Sequence, residues 1–302
     1  MSIGLKRPAA SYAERLLAAP PAGQDDLRLE SPSTAQRAIS RFLNPWRNAI
    51  VPASWLRLLL RVSRSPLIAE TAARPGGWRA MEIIYRNARP IDWFDRQALR
   101  VNPICMAARN RRVVVTRTIA RLIANYGATA PVTVLGIGAG PGRHVQTAIV
   151  DSQIDKTRVH AYLIDLDDDA FEYGKLLSRQ LGIARCMHFL RGDARQIRQT
   201  LPDISANIVK VVGLAEYLSD AEFLELLAAL REVIAPGGSL LTHGLVDVYG
   251  TGRFLARVFN LRHHQRTAPQ MIALLESAGF HPVECVVEPT LIHPIITAVR
   301  DH

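Results

Sequence analysis

From about residue 100 onward, hydrophobic and polar positions alternate between two periods. A helical period over Ile104–Tyr126 gives way to the β-branched run Val132–Leu135, read as a buried strand. Further short apolar runs at Val159–Ile164, Met187–Leu190, Asn207–Val212 and Ser239–Thr242 predict four more strands. Between them lie helical patterns at His144–Val150, Asp169–Leu181 and Asp220–Ile234, the last closed by a turn at Pro236-Gly237-Gly238. Such strand–helix alternation predicts a doubly wound parallel sheet. A helix over Ala268–Ala278, with Gly279 as its C-cap, then precedes Pro282–Val287 and Ile292–Val299, read as an antiparallel pair closing the sheet. Upstream the period is helical only: Thr34–Phe42, Ala53–Arg64, Leu67–Ala73 and Trp78–Arg89, punctuated by Pro45, Pro52, Pro66 and Pro75-Gly76-Gly77. Residues 1–35 read as a flexible segment with one helix at Ser11–Ala19, residues 36–126 as a helical lid, and 127–302 as a ligand-binding sheet domain.

Chemistry enters where the strands end. After Leu135 the chain reads Gly136-Ile137-Gly138-Ala139-Gly140-Pro141-Gly142. Glycines there let a ligand approach the backbone, and the helix that follows turns its free amides toward an anionic or polar group. The second strand ends on Asp165, placed to accept the hydroxyls of a ribose. The third is followed by Gly192-Asp193-Ala194, where an acid can accept from an adenine amino group, and the fourth by Gly213-Leu214-Ala215-Glu216-Tyr217-Leu218.

This ordered set resembles the class I S-adenosylmethionine-dependent methyltransferases over roughly residues 100–300. The resemblance implies an α/β, doubly wound, seven-stranded Rossmann-like sheet with a C-terminal antiparallel strand pair and an N-terminal helical lid. It implies S-adenosyl-L-methionine as cofactor, with contacts from Gly136, Gly138 and Gly140, from Asp165 and Leu166 at the ribose, from Asp193 and Ala194 at the adenine, and from Gly213. One departure stands out. An Asp or Glu usually precedes the glycine loop in these relatives and holds the cofactor's ammonium; here the position is Gly136.

Glu216 and Tyr217 fall where this fold faces the reacting end of the cofactor. Glu216 reads as a proton acceptor or as the cap of the helix near Asp220, and His243 as a base or a structural histidine. Tyr85, with Trp93 and Phe94, reads as an aromatic wall near the sulfonium or as lid packing. His263-His264, with Arg262 and Arg266, reads as a solvated basic patch rather than a metal site.

Composition adds limits. Cys105, Cys186 and Cys285 are scattered, giving neither a disulfide framework nor a metal site. No signal-like or membrane-spanning run is present, so the cytoplasm is the expected compartment. Residues 1–130 carry 21 Lys and Arg against 8 Asp and Glu, which suits a solvated arginine-rich surface or an acidic partner such as a carrier protein. A nucleic-acid partner is disfavoured, because no recognition module is visible and no Asn/Asp-Pro-Pro-aromatic run follows the fourth strand. Three functions remain open: methyl transfer to the oxygen or nitrogen of a small molecule; cyclisation of the cofactor to azetidine-2-carboxylate with release of methylthioadenosine; and a non-catalytic cofactor-binding scaffold.

Overall fold

A computed structural model describes residues 28–61 and 63–301; the helix expected at Ser11–Ala19 lies outside them. The chain forms two compact units. The first runs to Arg112 and takes in Val246–His263 and Glu288–Ile292; the second comprises Val113–Leu245, His264–Val287 and the chain from His293 on.

The first unit is helical. Its N-terminal half holds α1 (Thr34–Ile50), α2 (Ala53–Arg61), α3 (Pro66–Ala73), α4 (Trp78–Arg86) and α5 (Trp93–Arg96). Next come a π-helical turn at Gln97–Val101 and the first half of α6 (Pro103–Gly127). Leu67, Ile83, Ile84, Leu99 and Cys105 form its small core. Burial pushes the Cys105 thiol up to about 12, so it serves as an apolar filler rather than a nucleophile. Glu30 is clamped by the Arg109 guanidinium, and Asn110 donates to the Glu288 carboxylate at 3.0 Å.

Two expectations change here. The helix predicted to end at Phe42 continues through Pro45 to Ile50. Proline removes only one helical donor, and Asn44 and Asn48 on either side hold the helix by donating to the carbonyls of Tyr249 and Gly250. The helix from Trp78 stops at Arg86 rather than Arg89, because Asn87 turns left-handed at φ 45°.

In the second unit β1 (Val132–Ile137) is followed by α7 (Arg143–Asp151), β2 (Val159–Asp165), α8 (Asp168–Gln180), β3 (Met187–Arg191), the single turn α9 (Ile197–Thr200) and β4 (Ala206–Val211). Then come α10 (Asp220–Val233), β5 (Ile234–His243), α11 (Thr251–Phe259, part of the first unit), α12 (Ala268–Ser277), β6 (Phe280–Val287) and β7 (Pro294–Arg300). The sheet order is β3-β2-β1-β4-β5-β7-β6, with β7 antiparallel to both neighbours. This is the seven-stranded sheet with its C-terminal antiparallel pair that the strand pattern predicts. Period-two alternation feeds two cores. Val132 and Val134 pack with Ile119, Ile123, Val145 and Ile149, whereas Leu135 and Ile137 pack with Phe223, Leu226, Leu227 and Phe280.

The Pro236-Gly237-Gly238 turn lies within a strand instead of ahead of one. Strand β5 pairs with β4 at Ala206↔Ile234, slips, and resumes at Ile208↔Ser239, so the turn residues form a bulge. Tyr126 stabilises it, its hydroxyl 2.8 Å from the Gly237 carbonyl. Helix α11 was not anticipated. No described helix is long and apolar enough to cross a membrane.

Candidate active site

Parallel pairing of β1 with β2 and β4, and of β2 with β3, brings four strand ends to one edge of the sheet. The strand order reverses between β1 and β4, which is where such sheets open a ligand crevice. At the end of β1, Gly138, Gly140 and Gly142 have φ of 53°, 53° and 74°. Gly142 admits nothing larger: a Cβ there would lie 2.0 Å from Leu163 Cδ1. The loop is held from outside by Gln146, whose amide donates to the carbonyls of Pro141 and Gly174 at 2.7 and 3.0 Å.

Asp165, at the end of β2, receives Gly140 N–H on Oδ2 (2.7 Å), and Leu166 and Asp167 N–H on Oδ1 (2.8 and 3.1 Å). A carboxylate has about four acceptor positions, so capacity remains on the oxygen facing the loop. Leu166 beside it is exposed. Asp193, after β3, accepts from the backbone and guanidinium of Arg195; those hydrogen bonds hold its carboxyl below the usual range. Ala194 opens the short turn that follows. Gly213, after β4, has φ 90° and open space where a Cβ would stand.

Gly136, like Gly142, is closed off by Leu163. A Cβ there would come within 2.7 Å of Leu163 Cδ2, and Leu163 is its register partner on β2. The space an acid would use is filled from the neighbouring strand.

The segment after β4 folds as a tight turn, Ala215–Tyr217. Glu216 is buried and its Oε2 stands 3.4 Å from Nε2 of His243, the last residue of β5. His243 Nδ1 lies 2.7 Å from the Gly244 carbonyl, and Gly213 N–H donates to its Nε2 at 3.2 Å. These partners assign the proton to Nδ1 in the neutral ring. Glu216 and His243 therefore stand against each other as a buried pair. His293 stands edge-on to His243, ring centroids 4.9 Å apart. Tyr217, on the same turn, is 38% exposed.

Glu216 does not cap the next helix. Ser219 does, in a capping box with Glu222. Nor is Arg266 part of a solvated patch: it is 4% exposed and donates to the carbonyls of Ala215 and Leu218 (2.7 and 2.6 Å) and to Asp220. The backbone of His264 donates to the Glu216 carbonyl at 2.7 Å. The turn bearing Glu216 and Tyr217 is thus pinned at both ends. Tyr85 belongs to the first unit, half-buried on α4, with the Arg112 guanidinium 5.4 Å from its ring centroid. Sequence reasoning missed Arg266, Leu163 and His293, since nothing local marks a loop arginine, a strand leucine or a loop histidine as part of a site.

Residues 92–300 match a family model described as "Putative methyltransferase". The chain belongs to the class I S-adenosylmethionine-dependent methyltransferases. Solved structures with the same fold surround the methyltransferase. A protein from Bordetella parapertussis described as a possible exported protein is 18% identical, with 94% of this chain and 100% of that one covered at TM-score 0.69. The magnesium protoporphyrin IX methyltransferase of Synechocystis PCC 6803, solved with S-adenosylhomocysteine, is 14% identical, with 77% and 97% covered at TM-score 0.55. An O-methyltransferase-like protein of Nostoc punctiforme is 15% identical, with 78% and 71% covered at TM-score 0.53. No curated protein matches the methyltransferase. Its cofactor is S-adenosylmethionine.

Proposed function

We propose that the protein methylates an oxygen or nitrogen of a small-molecule acceptor. The observation that carries this reading is the gathering of the glycine loop, Asp165, Asp193 and the Glu216–His243 pair on one edge of the sheet. The positive-φ loop and the open space at Gly213 fit a ligand that lies against backbone. Asp165 would hold the ribose hydroxyls, and Asp193 and Ala194 the adenine. When bound, the cofactor supplies an electrophilic methyl group on a sulfonium. Glu216 would accept the O–H or N–H proton of the acceptor. His243 behind Glu216 would help to orient it, and the pinned turn keeps both groups in place. In-line placement in a water-poor pocket contributes most of the acceleration. Tyr217 would face the sulfonium, where an aromatic face gains roughly 0.5–2 kcal/mol from a cation.

The test is mass spectrometry of protein, labelled S-adenosylmethionine and an acceptor library. Methylated product with S-adenosylhomocysteine supports the reading; cofactor breakdown without an acceptor overturns it. Glu216→Gln should lower kcat by about 10²–10⁴-fold with little change in cofactor affinity.

A second reading is favoured by Leu163 over Gly136. With no acid at position 136 and no other group holding the cofactor's ammonium, that amine would be free to lose a proton and attack its own γ-carbon. The carbon–sulfur bond then breaks, and methylthioadenosine leaves with a four-membered amino acid. Incubation with cofactor alone separates the two readings.

A further inference from the structure

We propose that α1 and α2 seat the protein on an anionic lipid surface. Helix α1 is mounted the opposite way from an ordinary surface helix, which turns its apolar face inward. Its inward side is polar: Ser40 and Asn48 are buried, and Gln36 and Asn44 half-buried, at a spacing of four. Asn44 and Asn48 fasten that side by donating to the carbonyls of Tyr249 and Gly250 at 3.1 and 2.7 Å. Its outward side is apolar. Ile39, Phe42, Leu43, Trp46 and Ile50 are each at least 55% exposed. On α2, the next helix in the chain, Trp55 and Leu58 are likewise 72% and 62% exposed. The unit's own hydrophobic core is made by other residues, so this face is not a displaced part of it.

Charge selects the occupant. Residues 31–69 contain six arginines and not one Asp or Glu. A second copy of this chain, docking by the usual two-fold contact, would set that arginine-only segment against itself with no acid to relieve it. An anionic lipid surface meets both features at once: tryptophans and aliphatic side chains enter the boundary between headgroups and acyl chains, while arginines stay at the phosphates. Helix α1, about 25 Å long at 1.5 Å per residue, lies along such a surface without spanning it.

The experiment is flotation of the full chain with vesicles rich in phosphatidylglycerol, beside vesicles of phosphatidylcholine alone, read also by the tryptophan emission maximum. Expected are co-flotation and a blue shift only with the anionic vesicles, both weakened by added salt. The double variant Trp46→Ser/Trp55→Ser should lower the partition constant at least roughly tenfold while the melting temperature holds. Arg41→Glu should weaken anionic binding alone. Failure to float with anionic vesicles, or equal flotation with neutral ones, overturns the proposal. So does a dimer in sedimentation velocity that the double variant abolishes, since the occupant would then be a second copy.

Discussion

Leu163 ties the glycine loop to the second strand, and a double-mutant cycle can measure that tie. Gly142→Ala forces a left-handed backbone at φ 74° and sets a methyl 2.0 Å from Leu163 Cδ1. A left-handed non-glycine residue costs roughly 1–2 kcal/mol, and an overpacked core about 1–3 more. The expected loss is about 2–5 kcal/mol from a total of roughly 5–15. Leu163 is wholly buried, so Leu163→Ala alone should cost about 2–5 kcal/mol. In the double variant the added methyl enters space that the leucine has left, and only the backbone strain remains. The two effects should fall short of additivity by about 1–3 kcal/mol. Urea unfolding should be followed by far-ultraviolet circular dichroism, because Trp46, Trp55, Trp78 and Trp93 all belong to the first unit and Gly142 and Leu163 to the second. Additivity within about 0.5 kcal/mol would show that Leu163 does not hold the loop, and the reasoning would fail.

Arg266→Met leaves the carbonyls of Ala215 and Leu218 without their donor in a buried setting; the expected loss is roughly 2–4 kcal/mol, with turnover falling more than cofactor affinity as the Glu216 turn loosens. Its contact with Asp220 contributes little of this, because that carboxylate is 70% exposed. Asp193, whose carboxyl Arg195 holds low, contributes its pairing above the usual carboxylate range, and loses it only as pH falls through the depressed value. Arg195→Ala should therefore move the acid limb of S-adenosylhomocysteine binding to higher pH, measured by isothermal titration; an unmoved limb would remove Asp193 from the adenine site.

What could be read from the sequence was whatever local chemistry decides. Five parallel strands announced themselves because strands buried on both faces are continuously apolar, and the closing pair did so through Gly279 and its flanking alternation. The glycine loop and Asp165 were legible because each has a backbone reason for its residue type. Long-range contacts decided the rest. Pro45 looked like a helix stop until Asn44 and Asn48 anchored the helix on both sides of it. Pro236-Gly237-Gly238 is a turn by composition, yet pairing with β4 resumes on both sides and makes it a bulge. Arg266 looked solvated among polar neighbours, and its burial follows from the Leu245 bridge that carries it under the Glu216 turn. Helix α11 is bounded by Gly250 and Asn260, both left-handed, and such bounds become visible only when the dihedrals are known.

The glycine at 136 and the leucine at 163 are one feature. They face each other in register, and the bulk that an acid on β1 would occupy is supplied by β2. Gly136→Asp alone must then displace a core leucine and should lose about 2–4 kcal/mol, with cofactor binding lost alongside. Gly136→Asp combined with Leu163→Gly restores the room, and with it a carboxylate beside the loop. If the protein transfers methyl groups, that carboxylate gives the ammonium a partner and should tighten cofactor binding by about tenfold without changing the products. If the amine is the nucleophile, pinning it should suppress methylthioadenosine release while the cofactor still binds. Product analysis of the folded double variant beside the natural chain thus reads the reaction class from a single pair of residues. If the double variant proves no more stable than Gly136→Asp alone, Leu163 is not what excludes the acid, and the coupling between the two strands is refuted.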